Sequence, residues 1–154
     1  MKTVEIIEGE FPLKANVWDQ NSDKTIIIVG GDGDTKDSFI TLVEKLIAKN
    51  IKQNIITFSF RGVEEDQIFP LHNTVSDLKE VTGWVKQNLS GKIDIVCTSA
   101  GAYSTVHVIT DSNHYDLINR VIFVDPADYY IKDAQKKKFC ILGMVLRVII
   151  LMII

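Results

Sequence analysis

Two glycine-rich turns carry the residues whose types and spacing could do chemistry. The first is Gly30-Gly31-Asp32-Gly33, after the apolar run Thr25-Ile26-Ile27-Ile28-Val29. Three glycines in four positions let the backbone turn tightly and aim N–H groups outward, and a helix beginning near Ser38 adds its positive end. Such a turn either holds an anion or is a tight strand-to-helix connection that binds nothing. The second turn is Cys97-Thr98-Ser99-Ala100-Gly101-Ala102, after Lys92–Val96. A serine at the apex of a strand-to-helix turn has its hydroxyl thrust out of a sheet, and Ala100, Gly101 and Ala102 are small enough for helix and strand to meet there. The pattern G-x-S-x-G is met at Ser99 and Gly101, while Cys97 stands at its first position. A third strand end, Arg61-Gly62 after Asn54–Phe60, is read as structural, tying down a loop.

A serine is a poor nucleophile without an adjacent base. The chain has three histidines, His72, His107 and His114, and none after Asp125. His107 lies eight residues past Ser99, about 12 Å along a helix, and is expected to be a packing or surface residue. His72 is expected in a loop before a helix, where it could approach the strand ends. Asp125 is expected at a strand end, as a turn-forming residue before Pro126. Cys97 and Cys140 lack metal-ligand spacing, so no metal or other cofactor is implied, and two cysteines suit a reducing, cytoplasmic compartment.

Four short, β-branched runs must position these turns: Thr25–Val29, Asn54–Phe60, Lys92–Val96 and Arg120–Val124. Each is near-continuously apolar, as in strands covered on both faces. Helical patterns lie between them. In Ser38–Asn50, Phe39, Val43, Leu46 and Ile47 share a face, with Asp37 placed to cap and Asn50 to end the helix. In Thr74–Asn88 the stripe is Val75, Leu78, Val85 and Leu89, with Trp84 beside it; Thr74 and Asp77 read as a capping pair and Gly91 as the stop. Ala102–Thr110 carries Val106 and Ile109. This alternation means an α/β fold with a mainly parallel, doubly wound sheet. Thr3–Gly9 and Leu13–Trp18, around a turn with Gly9 and Pro12, add an antiparallel N-terminal hairpin. Ligands of such sheets bind at the carboxyl ends of the strands, where both glycine-rich turns fall.

The chain has 154 residues, 46% hydrophobic and 24% charged, with a net charge of −3. That composition fits one globular domain and excludes disordered and disulfide-scaffold classes. The acidic balance argues against nucleic acid as a partner. Met1 to Glu10 has neither a basic nor an apolar leader region.

The order of these elements, with the S-x-G turn at Ser99, the Phe60-Arg61-Gly62 strand end, Ser76-Asp77-Leu78 and Trp84-Val85 in a helix, and Val124-Asp125-Pro126, resembles the N-terminal half of an α/β-hydrolase. The resemblance covers roughly residues 3–130. It implies acyl or ester hydrolysis on a small substrate, with Ser99 as nucleophile. It also implies an oxyanion hole built from the backbone N–H of Ala100 and one from Gly31 or Asp32. The family's triad runs Ser, Asp or Glu, then His. The acid and histidine that its last two strands deliver have no counterpart, so the chain is expected to be impaired or inactive. Two other readings stand beside this one. Gly30-Gly31-Asp32-Gly33 is similar to the phosphate-handling loop of NAD and diacylglycerol kinases, although Asp34 stands where threonine is typical. The chain could also be a non-catalytic hydrolase-like remnant.

The expected division is an incomplete hydrolase-like domain over residues 1–134, its sheet ending after about six strands, and a tail over 135–154. All 20 acidic residues precede the tail. Lys136, Lys137 and Lys138 open it, and from Phe139 to Ile154 only Gly143 and Arg147 are not hydrophobic. With 22 isoleucines in the chain, the lysine run suggests an adenine-rich gene stretch and a shifted reading frame beyond it. The alternatives are membrane contact by residues 139–154 and a packed helix over the open sheet edge. A membrane-spanning helix is disfavoured, since 16 residues reach only about 24 Å against a core of about 30 Å.

Overall fold

The structure, a computed structural model, describes residues 1–67, 71–89, 91–111, 114, 116–126 and 147–151. Strands β1 (Lys2–Ile7) and β2 (Leu13–Trp18) form the expected antiparallel hairpin. Then come β3 (Lys24–Val29), α1 (Ile40–Ala48), β4 (Asn54–Phe58), α2 (Leu71–Asn88), β5 (Lys92–Ser99), α3 (Gly101–Ile109), β6 (Ile118–Pro126) and β7 (Arg147–Leu151). They make one sheet in the order β1-β2-β4-β3-β5-β6-β7. Strand β2 is antiparallel to β4, and every pairing from β4 to β7 is parallel.

The pleat of β3 divides the core. Ile27 and Val29 face Leu78, Val81 and Val85 of α2 and Val106 and Ile109 of α3. Ile28 faces the other layer, where Val43 of α1 packs with Trp18 and Ile55, and Phe39, Leu46 and Ile47 complete the expected stripe. Fully burying a side chain of this kind contributes about 1.5–3 kcal/mol. Helix α3 is buried almost all round, including Ser104 and Thr105. Both hydroxyls donate to the Gly101 carbonyl, at 3.1 and 2.8 Å, so no polar group is left unpaired by that burial.

Two expected caps are replaced by longer-range partners. Asp37 does not cap α1, which starts at Ile40 behind Phe39 with no side-chain cap. Its carboxylate instead accepts from Asn16 Nδ2 at 2.7 Å and Lys36 Nζ at 3.1 Å. Asp77 does not cap α2, because that helix begins at Leu71 and places Asp77 in its second turn. The buried carboxylate accepts from the Arg61 backbone N–H at 2.9 Å and Arg61 Nε at 2.6 Å. Arg61 thus ties down its loop, as expected. Asn50 ends α1 in the left-handed region, φ 63°. Gly91, φ 94°, passes so close to the Asp23 carbonyl that no side chain fits.

The opposite end of the sheet is pinned by Asp94, which accepts from Arg120 Nη2 at 2.5 Å, Asn119 Nδ2 at 2.7 Å and Gln53 Nε2 at 3.3 Å. Burial works to raise its pKa, but these partners outweigh it and hold the carboxyl below the ordinary value.

On the far edge, Arg147–Leu151 of the tail pairs in parallel with Arg120–Val124 of β6. These five residues cover the open edge as a strand, not as a packed helix. Val148, Ile149 and Ile150 are β-branched, and the edge of β6 offers unpaired backbone groups. The rest of the tail, 135–146 and 152–154, lies outside the described residues, as does most of the segment considered for membrane contact. Among the described residues no helix is long and apolar enough to cross a membrane.

Candidate active site

Strand β5 ends at Ser99, Ala100 makes the turn, and α3 starts at Gly101. Ser99 is exposed and has φ +43°, a left-handed conformation that non-glycine residues enter at a cost of about 1–3 kcal/mol. The tight turn exists because Gly101 has no side chain: a methyl group there would stand 2.4 Å from the Gly30 carbonyl oxygen and 2.8 Å from that of Val29. The elbow and the glycine turn are therefore pressed together at the carboxyl ends of β3 and β5, which are neighbours in the sheet. A methyl group on Gly31 would lie 3.0 Å from Ser99 Cβ and 3.5 Å from Ser99 Oγ.

Beside them opens a cleft of about 260 Å³. Gly31, Asp32 and Gly33 form one wall, Phe60, Arg61 and Val63 another, and Asp66, Gln67, Thr74 and Ala100 complete the lining. Arg61 reaches it already paired with Asp77, whose carboxyl burial pushes above the ordinary range despite the opposing hydrogen bonds and charge of Arg61.

A polar network, invisible as a motif, sets the glycine turn in place. Thr57 Oγ1 donates to the Lys36 carbonyl at 2.6 Å, and the Lys36 N–H donates to Ser59 Oγ at 2.7 Å. Ser59 Oγ donates to Glu64 Oε1 at 2.5 Å, and Lys36 Nζ reaches the same oxygen at 2.9 Å. Burial would raise the Glu64 pKa, but Ser59, Lys36 and Lys14 hold it below its ordinary value. Asn16, Thr57 and Ser59 are buried, so this cluster fixes the segment after the turn against β2 and β4.

The turn's own N–H groups are not equivalent. The Gly31 N–H donates to Asp34 Oδ2 at 2.7 Å. Of the two donors between which the sequence could not choose, Gly31 is engaged by the chain's own carboxylate, while Asp32 is exposed at the cleft.

No described histidine stands in this site. His72 lies in the first turn of α2, not in a preceding loop, and is exposed. His107 is on α3 with its ring 4.5 Å from that of Tyr103, the packing role expected of it. His114 lies beyond the C-terminal end of α3, 3.9 Å from Asp111. The backbone of Asp125 lies in β6. Cys97 is buried beneath the elbow, its thiol pushed up to about 12 by burial, which makes it unreactive. Among the described residues no cluster of metal-ligating side chains occurs.

Comparison with solved structures places this geometry. An α/β serine hydrolase homologue from Coxiella burnetii superposes with TM-score 0.69 at 18% identity, over 98% of this chain and 86% of that one. The Pyrococcus furiosus esterase Pf2001 gives TM-score 0.66 at 24% identity, over 90% of this chain and 57% of that one. Est1E from Butyrivibrio proteoclasticus, solved with ferulic acid bound, gives 0.66 at 18% identity, over 92% and 60%. This chain thus spans little more than half the length of the two esterases. No protein-family model and no curated protein sequence matches it. The sheet order, the strained serine between strand and helix, and these superpositions agree: the chain has the α/β-hydrolase fold.

Proposed function

We propose that this chain is a serine ester or acyl hydrolase-type scaffold whose own residues turn esters over slowly or not at all. One observation carries the reading: Ser99, at φ +43°, is held against the Gly30–Gly33 turn at the edge of a cleft. In that position Ser99 is the nucleophile. The N–H of Ala100, with that of Gly31 or Asp32, is the oxyanion hole that would stabilise charge developing on a carbonyl oxygen. A small acyl or ester substrate is the ligand this implies, and the esterases among the similar structures support it.

The impairment follows from the missing base. Among the described residues no histidine lines the cleft beside Ser99, so none is placed there to take the serine proton. Residual acceleration from an oxyanion hole and binding alone can reach about 10³–10⁴-fold over water. We read residues 1–134 as the hydrolase-like body and 135–154 as a basic-then-apolar tail, of which Arg147–Leu151 joins the sheet of the body.

Fluorophosphonate treatment followed by mass spectrometry, with p-nitrophenyl acetate turnover in parallel, tests this. Slow labelling at Ser99, lost in Ser99→Ala, with turnover far below that of an intact esterase, is expected. Turnover comparable to an intact esterase and abolished by Ser99→Ala would overturn the impairment. Absence of any labelling in a folded chain would favour the non-catalytic remnant. Stabilisation by ATP would favour the kinase-like phosphate reading, against which the Asp34 carboxylate on the Gly31 N–H already argues.

A further inference from the structure

The contact between Asp34 and Gly31 reaches beyond the position of the nucleophile. A methyl group at Gly30 would stand 2.5 Å from Asp34 Cβ, so the Asp34 side chain is packed onto the turn itself. Its Oδ2 accepts the Gly31 N–H at 2.7 Å, the short range of a charge-assisted hydrogen bond. Oxyanion-hole donors stand 2.7–3.1 Å from the oxygen they stabilise. Asp34 Oδ2 thus sits on Gly31 at the distance an acyl oxyanion would take. The same oxygen and Ser99 Oγ each lie 3.5 Å from one point, the position of a methyl group on Gly31. The nearest cation along the chain, Lys36, is already held by Glu64 and Asp37.

We propose that Asp34 is a built-in ligand of this anion-binding turn: its carboxylate occupies the Gly31 N–H, and an outside oxyanion binds there only by displacing it. The occupancy is a property of the turn alone; its consequence for acyl chemistry rests on the reading of Ser99 given above. Two effects follow. Anionic ligands such as carboxylates and phosphates are excluded from the turn, since they would meet Asp34 at the donor they need. Substitution of Asp34 opens the donor and makes the turn a receptor for small oxyanions.

The test uses the full chain, labelled with ¹⁵N, and acetate and inorganic phosphate as probes. The Gly31 amide resonance is followed in the wild type, Asp34→Ala and Asp34→Gly. Loss of a charge-assisted bond to the competing carboxylate corresponds to about tenfold or more in probe affinity. The expected result is a saturable shift of the Gly31 amide with acetate or phosphate in the variants, at least about tenfold tighter than in the wild type. Equal titration in wild type and variants overturns the proposal. So does a variant whose spectrum stays dispersed but whose Gly31 amide ignores both probes. Should both variants unfold, Asp34→Asn removes only the charge, and its affinity for acetate must still exceed that of the wild type. Repeating the titration in Ser99→Ala separates the two readings. A response that persists there belongs to the turn, whereas the role of Ser99 stands or falls on the labelling experiment.

Discussion

The carbonyl oxygen of Gly30 lies 2.4 Å from where a methyl group on Gly101 would stand, so the turn before α1 and the first residue of α3 touch backbone to backbone. The listener in that contact is Ser99, two residues earlier, whose placement depends on it. Gly101→Ala must push the two turns apart. The expected cost is about 1–3 kcal/mol in urea unfolding. Fluorophosphonate labelling of Ser99 should fall with it, because the glycine turn moves away from the serine. Unchanged stability in Gly101→Ala would mean that the two backbones do not meet as described.

Strain at the elbow gives an opposite prediction. Ser99 occupies a left-handed conformation that glycine adopts without penalty. Ser99→Gly should therefore stabilise the fold by about 0.5–1 kcal/mol while removing the Ser99 hydroxyl from the turn. Ser99→Ala keeps the strain and should leave stability near the wild type. Denaturant midpoints of the two variants, measured side by side, check the difference.

The Arg61–Asp77 pair is expected to hold one wall of the cleft. The Asp77 side chain is 2% exposed and takes two hydrogen bonds from Arg61. Asp77→Asn keeps the shape but loses the charge assistance, and should cost about 1.5–3 kcal/mol. Removing an exposed acid of the same helix, Glu80→Gln, should cost nothing measurable.

Acid sensitivity should arise at Asp94 and Glu64. Both are held below their ordinary pKa values by their partners, so the folded chain binds fewer protons there than the unfolded one. Their stabilisation is complete above the unfolded values, about 4, and is lost as pH falls through the folded ones. Urea unfolding between neutral pH and pH about 3 should show this loss. Asp94→Asn should be less stable at neutral pH and show a shallower decline. An equally steep decline in Asp94→Asn would locate the acid sensitivity elsewhere.

What the sequence determined by itself was local. β-Branched runs marked β3 to β6, helical stripes marked the faces of α1 and α2, and small residues around Ser99 marked the elbow. Each of these signals is written within a few residues, because backbone sterics and side-chain periodicity act at that range. The carboxylates were misread for the converse reason. Asp37 and Asp77 stand where caps belong, but better donors arrive from Asn16, 21 residues away, and Arg61, 16 residues away. A carboxylate takes the strongest donors within reach, whether it is exposed like Asp37 or buried like Asp77, and only the folded chain decides which those are. The tail gave no strand punctuation, yet Arg147–Leu151 pairs with β6, because an edge strand offers its backbone to whatever extended segment the chain returns to it. In the same way the sequence left Gly31 and Asp32 as equal donors. Tertiary structure separated them by folding Asp34 back onto the Gly31 N–H, a contact set by the shape of the turn and the space that Gly30 leaves for it.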